Sequence, residues 1–115
     1  MTPFATVYHN PRCNTSRTVL KTIEDTGVTV RVVKYLETPP TEDELRTLLA
    51  DAGLEPRQAI RTRESIYKEL GLAGADADTL IAAMVRHPIL IERPIVVTEK
   101  GTVLARPADA VQAVL

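Results

Sequence analysis

The stretch that decides the fold is FATVYHNPRCNTSR, residues 4–17. Its first part, Phe4 to Tyr8, is a short apolar run that predicts a buried strand. From Asn14 onward, apolar residues recur at helical spacing until Gly27, which predicts a helix that ends there. The loop that joins this strand to this helix holds Cys13, the only cysteine of the chain.

The position of Cys13 favours an ionised thiol. The N-terminus of a helix presents unpaired N–H groups and a partial positive charge, which favour an anionic sulfur and an anionic ligand. A free cysteine has a pKa near 8.5, so only about 3% of it is thiolate at neutral pH. A mostly ionised thiol needs roughly 2.7 kcal/mol of differential stabilisation, whereas a helix terminus supplies about 0.3–1 kcal/mol, or about 2 kcal/mol when partly buried. Cations must supply the rest, and the candidates are His9, Arg12, Arg17, Arg61, Arg93 and Arg106.

A second strand is predicted after the first helix. The segment from Val28 to Leu36 alternates in polarity and is rich in valine, a pattern typical of a strand. Two strands joined through a helix are parallel, with a right-handed crossover. The first third of the chain therefore predicts a β-α-β unit with Cys13 at the edge where such sheets bind ligands.

The middle of the chain, about residues 41–87, predicts only helices. Thr41 and Glu44 have the spacing of a capping box at the start of the first of them. Further helices are predicted over Ser65 to Leu70 and over Asp76 to Arg86. This region is predicted to be a helical insertion.

The last part of the chain returns to strands. Ile95 to Thr98 predicts a strand, Glu99 to Gly101 a turn, and Thr102 to Ala105 the partner strand of a hairpin. A final helix is predicted to open at Pro107. The order β-α-β, helical insertion, β-β-α predicts an α/β fold with a mixed four-stranded sheet in a single domain over residues 1–115.

Composition excludes several classes of protein. The formal net charge is −1 over 115 residues, which gives no reason to expect nucleic acid or an anionic membrane as a partner. No apolar stretch is long enough to span a bilayer, and Met1 to Phe4 lacks the features of a signal peptide. One cysteine excludes an internal disulfide, and with two histidines it leaves no adequate set of metal ligands. A reduced, cytoplasmic protein without a metal is expected.

Three segments carry a resemblance to a known family. They are HNPRCNTSR (residues 9–17), YLETPP (residues 35–40) and HPILIERPIVV (residues 87–97). With all three, the chain resembles the glutaredoxin-coupled arsenate reductase family, whose fold is thioredoxin-like with a helical insertion. The resemblance also implies a cis proline before the third strand, at Pro94.

The resemblance implies a role for each matching residue. Cys13 is the nucleophile that attacks arsenic(V), and His9 is a histidine that sets the ionisation of the thiol. The implied oxyanion ligands are Arg61, Arg93, Arg106, the loop residues Asn14, Thr15 and Ser16, and Arg17. Arg57 and Arg63 lie close enough to Arg61 in sequence to exchange roles with it, and an ion pair with a carboxylate would equally explain Arg17. Arg12 and Asn14 flank the cysteine where the best-studied branch of the family has smaller residues.

The implied reaction uses thiols from outside the chain. Glutathione is the expected co-substrate, glutaredoxin the expected protein partner and arsenate the expected substrate, with no bound cofactor and a monomeric protein. Two alternatives use the same scaffold. One is a monothiol glutathione-dependent oxidoreductase that acts on disulfides. The other is a non-catalytic redox regulator that binds RNA polymerase, although a protein-binding surface has no need of the arginines.

Overall fold

A computed structural model describes residues 4–115. Two compact units make up this part of the chain. One unit runs to Thr38 and resumes at Arg93, and the other is Pro39–Glu92. The helical insertion predicted over about 41–87 lies within the second unit, whereas the single domain over 1–115 stays a prediction. Residues 1–3, on which the expectation about a signal peptide partly depends, lie outside the described part.

The first unit is built on a four-stranded sheet in the order β2-β1-β3-β4. Its strands are β1 (Phe4–Tyr8), β2 (Thr29–Val33), β3 (Ile95–Thr98) and β4 (Gly101–Leu104). Strand β1 is parallel to β2, with Val7 opposite Val32, and antiparallel to β3, with Val7 opposite Val96. Strands β3 and β4 form an antiparallel hairpin. The predicted mixed four-stranded sheet is confirmed.

Helix α1 (Asn14–Asp25) packs one face into the core of this unit. Its buried residues Ser16, Val19 and Ile23 recur at helical spacing, and Gly27 follows with φ 82°, a left-handed conformation that glycine adopts without a steric penalty. Val19 and Ile23 belong to a cluster of fully buried residues from the sheet and the C-terminal segment. Burial of each such side chain contributes about 1.5–3 kcal/mol, so this packing fixes which face of α1 lies against the core.

Three predicted elements of the first unit differ in the structure. Strand β2 ends at Val33, not at Leu36, because the N–H groups of Glu37 and Thr38 both donate to the carbonyl oxygen of Lys34 and close a turn. The final helix is a 3₁₀ helix over Ala108–Val114. Strand β4 also begins one residue earlier than predicted, at Gly101, and ends at Leu104.

The second unit contains helices α2 (Glu42–Asp51), α3 (Pro56–Ala59), α4 (Ser65–Glu69) and α5 (Ala77–Arg86). The predicted capping box is present: the Glu44 N–H donates to Thr41 Oγ1 over 3.1 Å, and the Thr41 N–H donates to Glu44 Oε1 over 3.3 Å. Two 3₁₀ helices, Leu72–Gly74 and Pro88–Leu90, were not predicted. Across residues 4–115, no helix has the length and apolar character needed to cross a membrane.

Candidate active site

Cys13 occupies the N-cap position of α1, in the first unit. Its N–H donates to the carbonyl oxygen of Asn10 over 3.1 Å, and its own carbonyl oxygen accepts from the Arg17 N–H over 3.0 Å. The first turn of α1 contains no acidic residue, so no carboxylate competes for its N–H groups. The sulfur therefore lies at the N-terminus of α1, where the first N–H groups of a helix favour an anion.

The surroundings of Cys13 favour its ionised form. Partial burial, the largest single influence, raises the pKa of the thiol. A hydrogen bond from the Ser16 N–H, hydrogen bonding and charge from Arg93, and a hydrogen bond from Arg106 together outweigh burial, and the pKa of Cys13 lies below its ordinary value. The positive charge that the thiolate needs beyond the helix terminus is thus supplied by Arg93, which precedes β3, and by Arg106, which follows β4.

Arg106 and Arg93 are the two arginines placed at the thiol. Arg106 Nη1 lies 3.7 Å from Cys13 Sγ and donates to the carbonyl oxygen of Arg93 over 3.1 Å. The Nε and Nη1 atoms of Arg93 are buried and have no hydrogen-bond partner among residues 4–115. A buried donor without a partner costs free energy, so these two atoms suit an acceptor that arrives as a ligand. Both arginines precede cis prolines; the one at Pro94 was predicted, and the one at Pro107 was not.

His9 and Ser16 form a buried pair behind the loop. His9 Nδ1 lies 2.6 Å from Ser16 Oγ, which also accepts from the Asn10 N–H over 3.1 Å. Burial, followed by the charges of Lys34 and Arg17, lowers the pKa of His9 below its ordinary value, against a smaller opposing effect of Glu24. His9 is therefore a neutral imidazole at neutral pH that contacts the residue whose N–H bonds the thiol.

The side chains of Arg17 and Asn14 form hydrogen bonds within the loop that contains Cys13. Arg17 Nη1 donates to the carbonyl oxygen of Pro11 over 2.8 Å, and Nη2 donates to Asn14 Oδ1. These two contacts brace the loop around Cys13, and the oxyanion roles of Arg17 and Asn14 stay predictions of the sequence. Thr15 is half-buried in the first turn of α1, where its main chain belongs to the predicted anion cradle.

The third predicted arginine, Arg61, lies in the second unit. Its Nε donates to Glu64 over 3.0 Å and its Nη1 to Glu92 over 2.8 Å. Arg57, the alternative considered above, donates to the Tyr67 hydroxyl and to the carbonyl oxygens of Leu72 and Ala75. The oxyanion role of Arg61 stays a prediction of the sequence.

Sequence reasoning missed the part that Asn10 plays. Its Oδ1 accepts from the Arg12 N–H over 2.9 Å, and its N–H donates to Ser16. The signal that could have found it is the tendency of asparagine to bond the main chain two residues ahead in a turn. Within the described chain, no group of three or more His, Cys, Asp or Glu side chains is arranged to hold a metal ion.

The fold and the site define a class, a thioredoxin-like domain with one thiol among arginines at the start of a helix. Residues 8–114 match the model of the ArsC family, and the chain belongs to that family. It is 50% identical over 112 residues to an arsenate reductase of Escherichia coli, an alignment that covers 96% of this chain and 79% of the relative. An arsenate reductase of Yersinia enterocolitica is 52% identical with the same coverage. The structure of an arsenate reductase from Vibrio cholerae superposes with a TM-score of 0.94 at 42% identity and covers both chains completely.

Proposed function

We propose that this protein reduces arsenate to arsenite, with Cys13 as the nucleophile and with glutathione and glutaredoxin as the reductants. The observation that carries the proposal is the combination of a thiol of lowered pKa with the buried, unpartnered Nε and Nη1 of Arg93 beside it. The relatives named as arsenate reductases, at 50% and 52% identity, support the same substrate.

The first step joins sulfur to arsenic. The thiolate of Cys13 attacks arsenate, an S–As(V) bond forms, and one arsenate oxygen leaves as water after it takes up protons from the oxyanion or solvent. Arg93 supplies donors for the remaining oxygens, since a guanidinium fork matches the edge of an oxyanion. Arg106 contacts the sulfur of Cys13. It stabilises the thiolate before the attack on arsenic, and again when the thiolate leaves arsenic in the last step.

The later steps need thiols from outside, because the chain contains no second cysteine. The thiol of glutathione displaces a second oxygen as water and forms a second S–As(V) bond. The thiolate of glutaredoxin then attacks the sulfur of glutathione, and the electron pair of that S–As bond passes to arsenic, which becomes As(III). Glutaredoxin and glutathione leave as a mixed disulfide, and water releases arsenite and the Cys13 thiolate.

Neutral His9 has a supporting part in this proposal. It holds Ser16 through the Nδ1–Oγ contact of 2.6 Å, and the Ser16 N–H is one of the groups that lower the pKa of the thiol. Asn14, Thr15 and Ser16 contribute main-chain N–H groups of the first helical turn, which suit an anion. Arg61 enters the proposal only through the resemblance of the sequence.

The test measures arsenite directly in reactions that contain arsenate, glutathione and glutaredoxin. We expect turnover with both reductants, none when either is omitted, and none with Cys13→Ser. Arg93→Ala is expected to lower kcat/KM for arsenate by about tenfold or more, as the loss of charged hydrogen bonds predicts. Arg93→Lys keeps the charge but not the fork, and we expect it to recover only part of the loss. Absence of arsenite with both reductants, or equal turnover by Cys13→Ser, would contradict the proposal.

A further inference from the structure

Arg12 has an unusual place in the active loop, which we define as residues 9–17. The loop has two arginines, Arg12 and Arg17, and no acidic residue. The guanidinium of Arg17 is bound to Pro11 and Asn14. The side chain of Arg12 is exposed, and the described residues give its guanidinium no hydrogen bond or ion pair. Arg12 is therefore the cation of this loop that is available to a group arriving from solvent.

The main chain around Arg12 is held firmly. The Arg12 N–H donates to Asn10 Oδ1 over 2.9 Å, the carbonyl oxygen of Pro11 accepts from Arg17 over 2.8 Å, and the Cys13 N–H donates to Asn10 over 3.1 Å. The Cα atoms of Arg12 and Cys13 are about 3.8 Å apart, as across any trans peptide bond. The main chain of Arg12 is thus held next to the nucleophile, and its side chain extends from that fixed position. A substitution of the Arg12 side chain leaves these main-chain hydrogen bonds in place.

The other arginines at the thiol serve a different region. Arg106 contacts Cys13 Sγ and the carbonyl oxygen of Arg93, and the unpartnered atoms of Arg93 are buried. These groups suit the small oxyanion that reacts at sulfur. The second reactant is larger, must approach Cys13 from the solvent side, and in the proposed function carries two carboxylates and one ammonium group. Its net negative charge suits an exposed, unpaired guanidinium.

We propose that Arg12 binds a carboxylate of glutathione and so favours an anionic thiol over a neutral one. This inference rests on the proposed function. Arg12 forms no bond to arsenic and moves no proton. It holds the tripeptide while the thiol displaces an oxygen from arsenic on Cys13, and the contact persists until glutaredoxin removes glutathione. Since the pair is exposed, its effect is modest and is screened by salt.

The first arm of the test is a steady-state comparison of KM values. For Arg12→Gln we expect the KM for glutathione to rise roughly two- to fivefold, the range of an exposed charge pair, with kcat and the KM for arsenate unchanged. Arg12→Glu should raise the KM for glutathione further, and Arg12→Lys should bring this KM most of the way back to the wild-type value. Arg31→Gln, an exposed arginine of β2 outside the loop, is the matched control and should match wild type. High salt should remove the differences in the KM for glutathione between wild type and the Arg12 variants.

The second arm needs only the thiol and therefore separates failure of this inference from failure of the proposed function. The rate at which Cys13 forms a mixed disulfide is measured by mass spectrometry with oxidised glutathione and with neutral hydroxyethyl disulfide. We expect Arg12→Gln to lower the rate with oxidised glutathione about two- to fivefold relative to the neutral disulfide. Without turnover in wild type, the proposed function fails and this arm alone decides the role of Arg12. Equal ratios in wild type and variant, or a rise confined to the KM for arsenate, would overturn the inference.

Discussion

Arg106 and Cys13 are 93 residues apart in the chain, yet Arg106 Nη1 lies 3.7 Å from Cys13 Sγ. The sheet creates this contact, because β3 pairs with β1 and leads through the hairpin to β4, whose end brings Arg106 to the loop that follows β1. The same guanidinium donates to the carbonyl oxygen of Arg93. The charge that stabilises the thiolate is thus fixed by the hairpin and does not depend on the loop alone.

Replacement of either arginine should make the thiol less reactive at neutral pH. Arg93 acts on Cys13 through both hydrogen bonding and charge, whereas Arg106 acts through a hydrogen bond. We therefore expect Arg93→Ala to raise the pKa of Cys13 more than Arg106→Ala does. The measurement is the rate of alkylation by iodoacetamide as a function of pH, with Arg31→Ala as the control. Profiles that coincide with that of wild type would show that neither arginine stabilises the thiolate.

The braced loop predicts an effect of Arg17 on both structure and titration. Arg17→Ala removes the bonds to Pro11 and Asn14 and is expected to destabilise the protein by about 1 kcal/mol in urea unfolding. It also removes one of the charges that lower the pKa of His9, so that pKa should rise in an NMR titration. Asn14→Ala removes only one of the two contacts and should have a smaller effect on stability. If Arg17→Ala leaves both measurements unchanged, Arg17 does not brace the loop.

His9 makes stability depend on pH with a definite sign. Its pKa is lower in the folded protein than the ordinary value of about 6.5 that it has when unfolded. Above about pH 6.5 both states carry neutral imidazole, and as the pH falls below that value the unfolded state binds the proton first. The folded protein should therefore lose stability from about pH 6.5 downward until the folded pKa is reached.

The check on this pH dependence is thermal unfolding of wild type and His9→Asn at a series of pH values. The variant is expected to lose less stability on acidification, because its position 9 binds no proton. Lys34→Gln removes a cation that lowers the pKa of His9 and should raise that pKa in an NMR titration. Parallel stability profiles for wild type and His9→Asn would be evidence against a lowered pKa.

The second unit has its own test in the ion pairs of Arg61. The Arg61 side chain is 18% exposed, and its partner Glu92 is 23% exposed, so the pair is neither fully solvated nor fully buried. Arg61→Ala is expected to destabilise the protein by about 1–3 kcal/mol, between the ranges for exposed and buried pairs. A double-mutant cycle with Glu92→Gln measures the coupling, and Arg63→Ala, an exposed neighbour, is the control. Additive effects in that cycle would show that the two residues do not interact.

Local signals made much of the fold predictable from sequence. The capping box of Thr41 and Glu44 and the stop at Gly27 depend on a few adjacent residues, and the structure has both. The end of β2 was not predictable in this way. Tyr35 and Leu36 extend the strand-like pattern past Val33, and only the turn closed by the Lys34 carbonyl ends the strand.

The site was predictable to a lesser extent. Cys13 at the start of a helix follows from local pattern. The contact with Arg106 depends on strand pairing across the whole chain, and the residues alone named Arg106 only as one of several candidate cations. The role of Arg17 could not be foreseen, because its partners are a carbonyl oxygen and a side chain that only the folded loop brings within reach. The buried atoms of Arg93 without a partner are likewise a property of packing.

Whether the fold stabilises the Cys13 thiolate is measured by a titration of that thiol, followed by the ultraviolet absorbance of the thiolate, with Cys13→Ser subtracted as the blank. Because its surroundings lower the pKa of Cys13, we expect ionisation to be half complete at a lower pH than in the same protein unfolded in urea, and the midpoint to move upward in Arg93→Ala. A midpoint in the folded wild-type protein at or above that of the unfolded protein would show that the fold holds no thiolate ready for the oxyanion.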